Sequence, residues 1–350
     1  MNIHEKYMKR CLELARLGAG NVSPNPMVGC VIIIDDEIIG EGFHEKYGEA
    51  HAEVNAVKSV KNKTLLKEST LYVSLEPCAH FGLTPPCSDL IIEKEIPRVV
   101  IGTIDSFAKV AGKGIERLIK AGIDVQIGIL EKECREINKR FFTFHEKKRP
   151  YIFLKWAETK DGFIDYDRTK NQFGEPTWIT GEKALVRVHQ MRAIEDAILV
   201  GTNTALKDNP SLTVRHCEGR NPVRIVIDNH LRLPVHLKLF DGTVKTIVFN
   251  SLKNEESGNT EFVKIDFNKK IIPQLLKNLY QRNIQSLIVE GGKQLLESFI
   301  EANLWDEAYR FTGNKLFISG IKAPAISGSI IQSEETDGDK LLIYNNHFIR

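Results

Sequence analysis

The chain has 350 residues, of which 42% are hydrophobic, and its formal net charge is +2. A chain of this length is expected to form two domains, each large enough to bury its own core. Because acidic and basic residues are interspersed and form no basic stripe, the composition argues against a nucleic-acid partner and favours a small-molecule substrate.

The N-terminus and the cysteines indicate a cytoplasmic protein. The first residues lack the apolar core of a signal peptide, and no apolar run approaches the roughly 18 residues of a membrane span. The six cysteines are spread thinly along the chain. In a reducing compartment, cysteines that share a motif indicate metal ligands rather than a disulfide.

Helical and strand patterns alternate over the first part of the chain, which predicts an α/β layered fold. Residues 28–34 and 37–42 are expected to form a β-hairpin around Asp35-Asp36. Residues 50–60 fit a helix that carries His51 and Glu53 in its first turn. The other predicted helices cover residues 1–20, 88–94 and 114–121, and the other predicted strands cover residues 71–75, 98–102 and 125–130.

A charged helix and a basic turn follow and end at Pro150, and we place the domain boundary there, with domains of residues 1–147 and 148–350. A second alternation of strands and helices then begins. Its predicted strands cover residues 151–156, 197–200, 223–227, 246–249 and 286–289, and its predicted helices cover residues 183–193, 271–282 and 293–303.

One set of residues in the first domain has the makings of a catalytic zinc site. His51, Cys78 and Cys87 supply one imidazole and two thiols, and three protein ligands leave a fourth position open for water. Glu53 follows the histidine by two residues, so its side chain projects at a different angle and can transfer protons instead of binding the metal. This pattern predicts hydrolytic chemistry.

Two plainer interpretations remain open for this set. His51 can be an ordinary surface histidine beside ordinary core or loop cysteines. Alternatively, the zinc can be structural, since structural sites usually have four protein ligands and His80 could be the fourth.

The text Glu76-Pro-Cys-Ala-His-Phe-Gly-Leu-Thr-Pro-Pro-Cys87, with eight residues between its cysteines, resembles the deaminase half of the bifunctional riboflavin-biosynthesis deaminase/reductases. The segments Pro24-Asn-Pro-Met-Val-Gly-Cys30 and Val110-Ala-Gly-Lys-Gly114 are similar to the same family. The resemblance implies a cytidine-deaminase-like three-layer α/β/α domain. It also implies that the substrate is contacted by Asn25, His80 and Asp105.

Three positions depart from the family pattern. Leu83 stands where a basic residue is common, which removes one expected phosphate contact. Phe107 stands where the family often has an asparagine and cannot supply an amide, and Pro176 replaces a frequent serine.

The second domain contains no Gly-x-Gly-x-x-Gly, so a nicotinamide cofactor would not bind through the usual Rossmann turn. A predicted strand instead runs through Glu290 into Gly291-Gly292-Lys293 and a helix. Glycines let a phosphate approach the backbone, and a helix N-terminus favours an anion. A tight turn with no ligand is an equally good interpretation of this short motif.

Four further segments, taken in order, are similar to the reductase half of the same family, which has a dihydrofolate-reductase-like α/β fold and uses NADPH. They are Lys155–Gly162, Thr177–Thr180, Arg192–Gly201 and Thr204–Arg215. The resemblance implies that NADPH is contacted by Ala157, Trp178, Thr204, Asp208, Gly291, Gly292 and Lys293. It implies that the substrate site contains Lys155, Leu212 and Glu290, with Arg192 and Arg215 on the substrate phosphate, a role suited to guanidinium groups.

Plainer interpretations remain for three of these residues. Arg192 can be an exposed helix residue, Trp178 a packing residue, and Lys155 a solvated charge at a strand end.

The resemblance implies a bifunctional enzyme that uses Zn²⁺ and NADPH. It would deaminate a phosphoribosyl-aminopyrimidine and then reduce the ribosyl group to a ribityl chain, as a homo-oligomer (dimer or tetramer) that binds neither nucleic acid nor membrane. Two alternatives stay open: a nucleic-acid deaminase with an appended binding domain, and a scaffold whose zinc only holds the fold and whose degenerate second domain binds a nucleotide without turnover.

Overall fold

A computed structural model describes residues 2–81, 85–107, 111–169 and 172–346. The chain forms two compact units that meet in sequence between Lys148 and Arg149. In the ranges just given, no helix is both long enough and apolar enough to span a bilayer.

The first unit is a five-stranded sheet with helices on both faces. The strand order is β2-β1-β3-β4-β5, in which β1 is antiparallel to β2 and β3, and β3, β4 and β5 are parallel. Its elements are α1 (Ile3–Arg16), β1 (Gly29–Ile34), β2 (Glu37–Phe43), α2 (Ala52–Ser59), β3 (Thr70–Leu75), α3 (Cys87–Glu93), β4 (Arg98–Thr103), α4 (Lys113–Lys120), β5 (Asp124–Ile127), α5 (Glu131–Ile137) and α6 (Lys139–Lys147).

The alternation of side chains along β1 divides the core of this unit into two layers. Cys30 and Ile32 pack with apolar residues of α2, α3 and α4, whereas Val31 and Ile33 pack with residues of α1 and α5. The predicted three-layer α/β/α arrangement is therefore confirmed.

The bounds of four predicted elements are wrong. The helix α1 ends at Arg16 rather than near residue 20, and β5 ends at Ile127 before a left-handed residue at Leu130. Residues 131–147 form two helices rather than one. His51 is the N-cap of α2 and adopts an extended backbone, so it precedes the helix instead of lying in its first turn.

The second unit has a ten-stranded sheet in the order β11-β12-β10-β9-β8-β13-β6-β14-β17-β16. Neighbouring strands from β12 to β14 in this order are parallel, and the pairs β11–β12, β14–β17 and β17–β16 are antiparallel. A separate two-stranded antiparallel sheet is formed by β7 and β15. The strands of the unit are β6 (Tyr151–Glu158), β7 (Phe163–Asp165), β8 (Ala197–Gly201), β9 (Val223–Ile227), β10 (Thr246–Asn250), β11 (Glu255–Ser257), β12 (Thr260–Lys264), β13 (Ser286–Val289), β14 (Glu307–Thr312), β15 (Ile321–Lys322), β16 (Ser329–Thr336) and β17 (Asp339–Asn345).

Helices cover both faces of the parallel part of this sheet: α7 (Glu182–Ile194), α8 (Thr202–Asp208), α9 (Ile271–Gln281) and α10 (Lys293–Glu301). Apolar residues of α9 and α10 pack on one face, and residues of α7 and α8 on the other. Because β6, β8, β9 and β13 are parallel, their carboxyl ends meet at one edge of the sheet, where open α/β sheets bind ligands.

Candidate active sites

The metal ligands predicted in the first unit lie together. His51 caps α2, Cys78 follows β3, and Cys87 begins α3. The Nδ1 atom of His51 is 3.6 Å from Sγ of Cys78 and 3.3 Å from Sγ of Cys87, and the three ligand atoms lie within 4.8 Å of one another. One imidazole nitrogen and two sulfurs at this separation fit zinc.

Backbone contacts bring the two cysteines together despite the eight-residue interval. Ser88 donates from its backbone N–H to the carbonyl oxygen of Cys78 at 3.1 Å and from its hydroxyl to the same oxygen at 3.0 Å. The backbone N–H of Cys87 donates to Sγ of Cys78 at 3.3 Å. The hydrogen bond from the Cys87 thiol, together with His51, lowers the pKa of Cys78, which favours the thiolate that a metal binds.

His80 is not part of this ligand set among the described residues. Its buried Nδ1 atom has no hydrogen-bond partner in the described ranges, and its ring lies edge-on to Phe107 at a centroid distance of 6.1 Å. The set of three protein ligands is that of a catalytic zinc site rather than a structural one. Glu53 is buried at 4% exposure, and burial raises the pKa of its carboxyl.

Asn25 is held by a histidine that the sequence analysis missed. Nδ1 of His44 lies 3.1 Å from the carbonyl oxygen of Ala50, so this nitrogen carries the proton and donates. Nε2 then accepts a hydrogen bond from Nδ2 of Asn25 at 3.1 Å. Burial lowers the pKa of His44, consistent with a neutral ring, and its edge faces the ring of His51 at 5.3 Å. The position of His44 directly after β2 was the feature of the sequence that could have indicated its role.

Glu76 is a second residue whose role the sequence analysis missed. Its buried carboxylate accepts backbone N–H groups from Asp105 at 3.2 Å, Gly112 at 2.9 Å, Gly114 at 2.9 Å and Ile115 at 3.4 Å. The hydrogen bonds from Gly112, Gly114 and Ile115 place the carboxylate of Glu76 at the N-terminus of α4. A Cβ on Gly114 would lie 1.9 Å from the carbonyl oxygen of Pro77, so the glycine is required for this close approach.

Asp105 lies beside this network, and Phe107 supports it. Burial raises the pKa of Asp105 to about 7, and its Oδ1 accepts the backbone N–H of Phe107 at 2.7 Å. The ring of Phe107, where the family often has an asparagine, packs against His145 at a centroid distance of 4.9 Å. Leu83 and Val110 lie outside the described residues.

The second unit contains a cavity of about 1030 Å³ at the carboxyl ends of β6, β8, β9 and β13. Every reductase-site residue predicted from the sequence lines it: Lys155, Ala157, Trp178, Arg192, Thr204, Asp208, Leu212, Arg215, Glu290, Gly291, Gly292 and Lys293. Pro176 also lines this cavity.

A buried charge cluster lies at the wall of this cavity. The Arg192 guanidinium donates two hydrogen bonds to the Glu290 carboxylate at 3.0 and 2.8 Å, and Nζ of Lys155 is 3.9 Å from the same carboxylate. Although burial alone would raise it, these two cations lower the pKa of Glu290 to about 2. Burial lowers the pKa of Lys155.

The alternatives for three of the cavity residues are wrong. Arg192 is 8% exposed and the Lys155 side chain is 16% exposed, so neither is a solvated surface charge. Trp178 is 53% exposed and lines the cavity, so it is not a core packing residue.

Arg215 differs from Arg192 because it has no carboxylate partner in the described ranges. Its guanidinium donates to the hydroxyls of Ser211 and Thr213, and its backbone N–H donates to Nδ1 of His189 at 3.0 Å. His189 is fully buried and was missed from the sequence.

Asp208 forms an ion pair with Arg168, which was not predicted from the sequence. Arg168 binds Asp208 and, at 2.9 Å, Asp165, and its side chain is only 3% exposed. This pairing fixes the segment that precedes Trp178 against the end of α8.

The Gly291-Gly292 turn opens α10 and approaches α8 closely. Gly291 has a φ of +109°, which only glycine adopts readily, and its carbonyl oxygen accepts the N–H of Gly201 at 3.0 Å. A Cβ on Gly292 would come within 3.2 Å of the Thr204 hydroxyl. Because neither glycine has a side chain, a phosphate can approach the backbone at the start of α10. This arrangement fits the pyrophosphate of a dinucleotide cofactor.

Both units match known families. Residues 1–103 match the cytidine and deoxycytidylate deaminase zinc-binding region, and residues 150–324 match the RibD C-terminal domain. Among curated relatives, the riboflavin biosynthesis protein RibD of Aquifex aeolicus is 41% identical over 327 residues, covering 91% of this chain and 89% of the relative. RibD of Escherichia coli is 37% identical over 343 residues, with 89% and 88% covered.

Solved structures agree with these relatives. A Thermotoga maritima diaminohydroxyphosphoribosylaminopyrimidine deaminase/5-amino-6-(5-phosphoribosylamino)uracil reductase is 39% identical, with a TM-score of 0.88 and 98% of each chain covered. Acinetobacter baumannii RibD is 31% identical, also with a TM-score of 0.88 and 98% of each chain covered. These matches confirm the predicted fold class of both domains and do not favour a nucleic-acid deaminase with a degenerate reductase domain. The chain belongs to the RibD family of bifunctional riboflavin-biosynthesis enzymes, in which a zinc-dependent deaminase domain precedes an NADPH-dependent reductase domain.

Proposed function

We propose that the first domain deaminates 2,5-diamino-6-(5-phosphoribosylamino)pyrimidin-4-one and that the second reduces the ribosyl group of the product to ribityl. The observation that carries this proposal is the presence of both sites in one chain. The His51, Cys78 and Cys87 set is assembled in the first unit, and the predicted reductase residues line one cavity in the second.

In the deaminase site, zinc held by His51 and the two cysteines would supply a nucleophile derived from water. Glu53 would transfer a proton to the departing amine, so that water replaces the amino group and ammonia leaves. Asn25, oriented by His44, would hold the pyrimidine, and His80 and Asp105 would contact the rest of the substrate.

In the reductase cavity, NADPH would supply the hydride that C1 of the ring-opened ribosylamino group receives. Lys155 and Glu290 present a donor and an acceptor side by side and would bind the sugar hydroxyls. Because Arg192 is already paired with Glu290, Arg215 would be the main cation on the substrate phosphate.

The backbone at Gly291, Gly292 and Lys293 would receive the cofactor pyrophosphate. Ala157, Thr204 and Trp178 would line the remaining cofactor surface, with Asp208 held in place by Arg168.

The order of the steps and the molecular setting are also part of the proposal. Both domains would handle the same phosphoribosyl-aminopyrimidine, and deamination would come first, an order that the resemblance to the family implies. The near-neutral net charge of +2 supports a small-molecule substrate rather than a nucleic acid. We place the enzyme in the cytoplasm as a homo-oligomer, a dimer or a tetramer.

A coupled assay tests the proposal. The purified protein should contain about one zinc per chain, the number that a single three-ligand site implies. It should release ammonia from the diaminopyrimidine nucleotide and only then oxidise NADPH. Ammonia release without later NADPH loss would contradict the reductase assignment. Site-specific deamination of RNA would instead support the nucleic-acid alternative.

A further inference from the structure

The cations that line the reductase cavity fall into two classes, those with a side-chain partner and those without. In the first class, Arg215 donates to the hydroxyls of Ser211 and Thr213, and Nζ of Lys207 lies 5.9 Å from the ring centroid of Phe173. Lys155 on β6 and Arg192 on α7 both pair with the carboxylate of Glu290. Arg168, which precedes Trp178 in the chain, pairs with the carboxylates of Asp165 and Asp208. Lys293 lies 3.5 Å from Glu297 on its own helix.

Arg232 and Lys238 belong to the other class. Both are exposed, both line the cavity, and neither side chain has a hydrogen-bond or ion-pair partner within the part of the chain that the structure describes. The acidic residues that line the cavity come from other segments: Asp165, Glu175, Asp208 and Glu290. Asp228, which precedes Arg232, is 1% exposed and accepts the backbone N–H of Leu233 at 2.8 Å.

The segment that carries these two cations is firmly anchored. The backbone N–H of Lys238 donates to Oδ1 of Asn209 at 2.8 Å, and its carbonyl oxygen accepts a hydrogen bond from Nη1 of Arg224 at 3.1 Å. Arg224 is fully buried and is also paired with Asp241 at 2.8 Å. The two cations therefore extend from a backbone held at both β9 and α8, which limits the entropy lost when they bind an anion.

Strand order sets the distance between these cations and the phosphate-binding turn. The strand β9 is separated from β13 by β8 alone, so their carboxyl ends lie about 10 Å apart at the usual strand spacing. Gly291 and Gly292 follow β13, and Arg232 follows β9 by five residues. A dinucleotide with its pyrophosphate at the glycines would direct its adenosine toward β9.

We propose that Arg232 and Lys238 bind the 2′-phosphate of NADPH and thereby select NADPH over NADH. This inference rests on the proposed reductase function. It uses a pair of cations distinct from Arg215, which lies after α8 beside the substrate residue Leu212. The cavity would thus bind two phosphate dianions at two separate cation groups.

Calorimetric titration with adenosine 2′,5′-bisphosphate and with 5′-AMP tests this without any turnover. The wild-type protein should bind the 2′-phosphorylated probe more tightly. In Arg232→Gln and Lys238→Gln, that affinity should fall about tenfold each, the value of a charge-assisted hydrogen bond, whereas 5′-AMP affinity should not change. Lys253→Gln, which removes an exposed cation outside the cavity, should leave both affinities unchanged.

Steady-state kinetics provide the second measurement. Each of the two variants should raise KM for NADPH about tenfold and leave the kinetics with NADH unchanged, so that the preference for NADPH narrows. Equal losses with both probes, or an unchanged NADPH preference, would overturn the inference. A wild-type protein that binds the bisphosphate through Arg232 and Lys238 but oxidises neither cofactor would contradict the proposed function and leave the inference standing.

Discussion

The metal centre of the first unit and the cavity of the second balance their buried charges in opposite ways. Around the metal centre, the Glu76 carboxylate is satisfied by backbone N–H groups, and the Cys78 sulfur contacts the His51 imidazole and the backbone N–H of Cys87, with no lysine or arginine among its described hydrogen-bond partners. In the cavity, the Glu290 carboxylate is matched by a guanidinium and an ammonium. The first site would be completed by an added cation, whereas the cluster in the second has two cations for one carboxylate, which favours anions.

This contrast predicts that neutralising Glu53, the carboxylate proposed to transfer protons, removes chemistry from the first site and leaves its structure intact. Glu53→Gln should lower the deaminase kcat by about 10²–10⁴, the usual contribution of a general acid–base group, and should leave unchanged both the zinc content and the NADPH oxidation measured when the deaminated product is supplied as the substrate. Ammonia release and metal analysis provide the measurements. The exposed Glu49→Gln is the matched control. Near-normal ammonia release by the Glu53 variant would remove Glu53 from its proposed role.

The second site should instead lose stability when one partner of its charge pair is removed. Arg192→Ala leaves Glu290 buried without its guanidinium and should lower the free energy of unfolding of the second unit by about 3–5 kcal/mol. All three tryptophans (Trp156, Trp178 and Trp305) lie in this unit, so their fluorescence during denaturant unfolding reports on it alone.

Two variants show whether the charge pair is responsible. The triple variant Lys155→Met/Arg192→Met/Glu290→Leu, which leaves no member of the cluster unpaired, should recover most of the lost stability but not NADPH oxidation. Lys183→Ala breaks an exposed pair with Asp337 and should cost about 0–1 kcal/mol. A loss as large in Lys183→Ala as in Arg192→Ala would mean that burial of the pair is irrelevant.

Glu76→Gln should have an intermediate effect, because an amide cannot accept all four backbone N–H groups. We expect the first unit to be destabilised by about 1–3 kcal/mol and its zinc affinity to fall about 10- to 100-fold. Competition with a chelator measures the affinity. Glu93→Gln, which changes an exposed glutamate on α3, is the control. Unaltered zinc affinity in the Glu76 variant would show that Glu76 does not position Cys78.

The smallest expected effect is the dependence of the stability of the second unit on the ionisation of Glu290, which appears only at acidic pH. Its folded-state pKa of about 2 is below the ordinary value of 4.5, so its ionised form stabilises the fold. This stabilisation is fully present above about pH 4.5 and is lost as the pH falls toward 2. Tryptophan fluorescence should therefore show the unfolding midpoint of the second unit falling with pH in that window, with a shallower slope in Glu290→Gln. Equal slopes would contradict the assignment.

The clustering of His51, Cys78 and Cys87 could be predicted from the sequence because these residues lie at the ends of short elements, at spacings that a motif records. It missed His44 and Glu76, since their partners are backbone atoms distant in sequence and no spacing encodes them. In the second unit, the residues of the cavity were predicted by resemblance, but the pairing of Arg168 with Asp208 required the folded structure.

The strands near the end of the chain were also missed, for a different reason. The strand β16 is mostly exposed along its length, so it lacks the apolar alternation by which strands are recognised. Its partner β17 has only the apolar run Leu341–Tyr344, which is too short to identify a strand on its own.

The position of β17 affects how the protein is made. This strand lies between β14 and β16 rather than at an edge, yet it is the last described strand to leave the ribosome. At about 5–20 residues per second, β14 would wait a few seconds with an unpaired edge, the kind of surface on which chains aggregate. Ribosome-bound chains arrested before Asp339 should therefore be cleaved by protease in the second unit far more readily than released chains. Equal resistance would show that the sheet forms without its last strand.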